Sequence, residues 1–161
     1  MWTPLNQITE FEFQRLATLS AVGADTPEYV ELIRLIATRP YAHEIAVVTG
    51  LHYLSLSGQL QWEKTDHLQP CHLHLPGIAI SLAPWRGICV SYSPGCTDTG
   101  DPPGPTYSRS VPEAADRIDT AVNRLFHDIP VARQRIAEAR ERKRTWFASQ
   151  DARAPSPSHF D

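Results

Sequence analysis

The sequence predicts an α+β fold: N-terminal helices that could include a winged helix-turn-helix, a small antiparallel β-meander, and a C-terminal helical segment kinked by proline. Three observations carry this. Apolar residues recur at helical spacing over 27–38 and again from residue 111 onward. Between them, residues 70–93 alternate apolar and polar in short runs cut by Pro76-Gly77 and by Pro84-Trp85-Arg86-Gly87. The chain has 161 residues, 42% of them hydrophobic and 20% charged. That makes one domain, or one domain with appendages, able to bury about two-thirds of its unfolded surface.

The elements follow in order. Residues 8–21 read as a helix that Thr9 caps and Gly23 ends, with Phe11, Phe13, Leu16 and Leu19 as its apolar stripe. Thr26-Pro27-Glu28 starts a second helix, because a capping residue, a first-turn proline and an early acid stand together. Pro40 stops it, and 41–49 follows as a short amphipathic stretch with Ala42, Ile45, Ala46 and Val48 at helical spacing. Residues 51–63 fit two constructions: a hairpin around Ser57-Gly58, or a helix. CHLHL, IAISLA and ICVSYS then form the meander. Residues 94–109 hold four prolines and three glycines and read as a loop. Ser110-Val111-Pro112-Glu113 spells a capping box and opens the C-terminal helices. Pro130 is expected to break or kink them, with Asp128 capping a further helix over roughly 129–148. The division is therefore 1–93 for the α+β part, 94–109 for the loop, 110–148 for the helices and 149–161 for a disordered tail.

Composition excludes a collagen, a pure coiled coil and a fully disordered chain. No apolar run approaches the length of a membrane span, and the N-terminus lacks the layout of a secretory signal. Three cysteines without CxxC spacing suit a reducing compartment, so a cytoplasmic protein is expected. Charge is unevenly distributed around a net of -3. Residues 1–70 carry eight acids against four bases, whereas 133–144 carry six bases against Glu138 and Glu141.

Residues 42–61, AHEIAVVTGLHYLSLSGQLQ, resemble the helix-turn-helix of bacterial and phage transcription regulators. Ile45, Ala46, Gly50, Leu51, Ser55, Leu56, Ser57 and Leu60 occupy the matching places. The resemblance implies a recognition helix over about 52–62 lying in the major groove. His52, Tyr53, Ser57 and Gln61 would then face bases and Ser55 a phosphate. The hairpin 70–82, with its tip at Pro76-Gly77, would be the wing. Arg133, Arg135, Arg140, Arg142, Lys143 and Arg144 are the candidates for backbone contact. On this reading the protein is a small non-enzymatic regulator that binds double-stranded DNA, with residues 111–148 as the place for a homodimer contact.

The rival expectation is an immunity or inhibitor protein that blocks a toxin or nuclease. Its motivation is a small acidic chain poor in catalytic spelling, whose N-terminal acids suit a basic protein partner. That reading puts 51–93 into a sheet flanked by helices. His67, Cys71, His72 and His74 cluster in sequence, but their spacing matches no zinc module, and neither a metal nor a cofactor is expected. Cys96 sits in no catalytic frame, and no phosphate-binding glycine motif is present, so no enzyme activity is expected.

Overall fold

Among the described residues Gly77–Ala83 and Gly87–Ser93 are the longest strands, because β-branched and apolar residues alternate there with small ones. The computed structural model describes residues 3–9, 15, 27–49, 54–58, 74–83, 85–97 and 104–151. Within them the strands are β1 (Thr3–Pro4), β2 (Ala46–Thr49), β3 (Leu54–Ser57), β4 (Gly77–Ala83), β5 (Gly87–Ser93) and β6 (Thr106–Ser108). They form one six-stranded sheet in strict chain order, each strand antiparallel to the next. Helices α1 (Pro27–Ala37) and α2 (Val111–Asp151) pack on it, so the fold is α+β.

The period of two decides which face is apolar. Ile78 and Ile80 of β4, and Ile88, Val90 and Tyr92 of β5, are buried on the helix-bearing side with Leu54 and Leu56 of β3. The register pairs Ile78 with Tyr92, Ile80 with Val90 and Leu56 with Ile78, so these side chains share one layer. Their neighbours Ser55, Ala79, Ser81, Cys89 and Ser91 are small and half-buried.

Helix α1 begins at Pro27 as expected and buries Tyr29, Leu32, Ile33 and Ile36 on one side. Tyr29 reaches furthest, its hydroxyl donating 2.7 Å to the Ile80 carbonyl in the middle of the sheet. The chain then turns through a 3-10 segment at Pro40–His43 into β2.

Several expectations need correction here. Residues 46–49 are strand, not amphipathic helix: Ala46, Val47, Val48 and Thr49 pair with Ser57, Leu56, Ser55 and Leu54. No recognition helix runs through Leu54–Ser57, and the helix-turn-helix is not formed. Physically, a β-hairpin lets both Ile45 and Leu56 reach the core while the β-branched Val47-Val48-Thr49 run takes the extended form it favours. The expected wing over 70–82 does not turn at its tip, and its residues 70–73 lie outside the described ones. Gly77 is the first residue of β4 and not a hairpin tip, and His74, Leu75 and Pro76 lie outside any strand. Within the expected 94–109 loop, residues 106–108 form β6. Of the helix expected over 8–21, Ile8 and Thr9 stand outside any helix, Arg15 is helical, and the remaining residues lie outside the described ones.

Helix α2 opens where the capping box places it: Ser110 Oγ accepts from the Glu113 amide at 3.4 Å. It then runs unbroken through Pro130 to Asp151, so Asp128 caps nothing. The reason is phase. Ile118, Val122, Leu125, Ile129, Ala132, Ile136 and Ala139 are buried at alternating steps of four and three, and Pro130 sits exposed on the opposite side. The proline forfeits one backbone hydrogen bond while the buried stripe continues beneath it.

Candidate functional site

The turn between β4 and β5 is closed by the Arg86 amide donating 3.1 Å to the Ala83 carbonyl. Its third residue is Trp85, at φ 68°. Turns with a positive φ at this place take glycine or asparagine there, and for a bulky residue the left-handed region is costly. Trp85 is nevertheless 98% exposed, so no packing in the fold rewards the strain. Strain kept at a fully exposed aromatic points to a role outside the fold.

The neighbours of Trp85 extend the surface. The Arg86 guanidinium lies 5.2 Å from the centre of the Tyr107 ring. Tyr107 is itself 36% exposed and stands on β6, the outermost strand of the sheet. Gly87, at φ 91°, makes this approach feasible, because a Cβ there would collide with the Ser108 carbonyl oxygen. That Cβ would also sit 3.5 Å from the Cα of Arg109, which places a second exposed arginine beside the turn. Trp85, Arg86, Tyr107 and Arg109 thus gather at one corner of the sheet. Tryptophan, tyrosine and arginine are the residue types that dominate binding energy at protein interfaces.

A second polar cluster lies beneath β5. Asp128 is 1% exposed, and its carboxylate accepts 2.6 Å from the Tyr92 hydroxyl. It also lies 3.5 Å from Arg124 Nε and 3.1 Å from His127 Nδ1. Burial would raise its pKa, but the hydrogen bonds from Tyr92 and His127 and the charge of Arg124 outweigh it, and the group is held below the usual carboxylate range. Tyr92 is pushed well above an ordinary tyrosine by burial and by that carboxylate. The Arg124 guanidinium also covers the Tyr92 ring at 4.8 Å. A cavity of about 410 Å³ opens beside this cluster between β5, β6 and α2, with Tyr92, Thr106, Asp116, Ala121 and Arg124 in its wall. Each member of the cluster already has a partner within it, and the arrangement fastens α2 to the sheet. Tyr41 and Arg39 make a similar clasp on Asp119, at 2.5 Å and 3.0 Å.

The residues expected from sequence do not converge. Ser55 and Ser57 stand on β3, half-buried and buried. His52, Tyr53 and Gln61 lie outside the described residues. Arg135 is committed to the fold, donating 3.0 Å to the Cys96 carbonyl. Arg140 and Lys143 are half-buried, Arg133 and Arg142 are exposed, and Arg144 pairs with Glu141 at 2.6 Å. Of the histidine-cysteine cluster only His74 is described, on the surface, and no group of three metal-ligating side chains occurs among the described residues. Sequence reading took Pro84-Trp85-Arg86-Gly87 only as a turn. The available signal was a large aromatic in a place made for glycine.

Comparison with known proteins finds no matching family model, no matching curated protein and no matching solved structure. Among the described residues no helix is long and apolar enough to cross a membrane.

Proposed function

We propose that the protein acts by binding another protein, in the manner of an inhibitor or immunity protein that blocks a toxin or nuclease, and not by catalysis. Trp85 carries the reading: a tryptophan 98% exposed, in a backbone conformation that disfavours it, flanked by Arg86, Tyr107 and Arg109. Burying its ring on a partner is worth a few kcal/mol of association. The strands Leu54–Ser57, Gly77–Ala83 and Gly87–Ser93 with helices against them support the sheet that this reading expects within 51–93, and the Tyr92–Asp128 cluster is satisfied internally.

The test is affinity isolation of the full chain from its own cells beside Trp85→Gly. Glycine relieves the turn, so the variant should fold as well as the parent or better, by about 1 kcal/mol in urea unfolding. A protein retained in near-equal amount by the parent and lost from the variant supports the reading. Retention of the same protein by both moves the interface elsewhere.

A second reading, contact with duplex DNA, has a narrower basis: Arg133 and Arg142 are exposed on the distal half of α2. Anisotropy against mixed-sequence duplex from low to physiological salt tests it, beside a variant with Arg140, Arg142, Lys143 and Arg144 changed to Gln. Affinity that falls steeply with salt and falls again in the variant favours it, and no binding at low salt removes it.

A further inference from the structure

We infer that the β4–β5 corner recognises an acidic protein surface: an apolar pocket that takes the Trp85 ring, rimmed by carboxylates that pair with Arg86 and Arg109. This rests on the protein-binding reading and names the chemistry of the partner at that site.

The corner carries unspent charge. Arg39, Arg117, Arg124 and Arg144 each have a carboxylate within ion-pair distance. Among the described residues Arg86 and Arg109 have none, although both are exposed at one corner. Arg86 is also preoriented. Stacked 5.2 Å above Tyr107, its guanidinium has already given up part of the rotamer freedom that binding would cost. Such a planar donor accepts a carboxylate in two parallel hydrogen bonds while its face stays on the ring. The shape selects the class of partner. Trp85 stands at the apex of a turn and is 98% exposed, so it projects and must enter something concave. Proteins that stack single-stranded nucleic acid hold their aromatics along a positively charged groove, a different geometry.

A photoreactive benzoylphenylalanine at Ala83, the first residue of the turn, tests this in the full chain inside its own cells. It is combined in turn with Trp85→Gly, Arg86→Glu with Arg109→Glu, and Arg86→Lys. The expected result is one protein adduct, mapped to a segment that carries clustered Asp and Glu. Its yield should fall about tenfold or more with Trp85→Gly and with the charge reversal, and less with Arg86→Lys. The reversed variant must show the parent's unfolding midpoint, since both arginines are exposed. An adduct undiminished by charge reversal but lost with Trp85→Gly overturns the acidic partner and leaves the protein-binding reading in place. An adduct that nuclease removes overturns it in favour of nucleic acid. Absence of any adduct overturns both.

Discussion

Asp128 shows how one residue can be seen in a sequence and misread. It stands two places before Pro130, and Asp before a first-turn proline is a helix start. The fold uses it instead as the buried acceptor of Tyr92, a partner thirty-six positions away that no local pattern reveals. The consequence is pH dependence. Its pKa is depressed on folding, so its contribution to stability is present above the ordinary carboxylate value near 4 and is lost as pH falls below it. Asp128→Asn should cost about 3 kcal/mol at neutral pH, and the gap between parent and variant should close in thermal melts taken from pH 5 down to pH 2. Gly58 is a parallel case. Inside a recognition helix it has no purpose, whereas beside α2 it has one, because a Cβ there would collide with Cδ1 of Ile129. Gly58→Ala should lose about 1–3 kcal/mol in urea unfolding, and Ile129→Val in the same chain should recover part of it by shortening the opposing side chain.

At the scale of elements, legibility followed the length of the periodic run. The start of α1, the strands β4 and β5 and the start of α2 could all be read, since each has a cap or seven alternating residues behind it. The four-residue strand β2 could not, and β3 stayed open between strand and helix, because AVVT and LSLS are too short for period two and period 3.6 to differ. What makes them strands is pairing with β1 and β4, which is a tertiary cause. Helix α2 departs from expectation for the opposite reason: its stripe is long enough to override a proline. Replacing the exposed Pro130 with alanine restores the missing backbone donor and should raise stability by about 1–3 kcal/mol, read as a higher urea midpoint with unchanged helical dichroism. A lower midpoint would mean that the helix needs a bend at that point to stay on the sheet. The candidate site was the least legible part, since Trp85, Arg86, Tyr107 and Arg109 meet only once β6 has paired with β5.

The described sheet is laid down in sequence order and covered by an early helix and by the last one. Each described strand lies beside the one made just before it, and only the pairing of β1 with β2 spans a helix. The cover is a different matter. Ile118, Val122, Leu125 and Ile129, which seal the apolar side of β4 and β5, come from residues later than every strand. During synthesis these strands are therefore complete, with α1 already made, while the part of the apolar side that α2 covers is still wet. It stays so until some twenty more residues have left the ribosome, a delay of about one to four seconds at ordinary elongation rates. For that interval the nascent chain presents a greasy sheet that only its first helix shields, and its safe passage depends on how soon its final helix arrives.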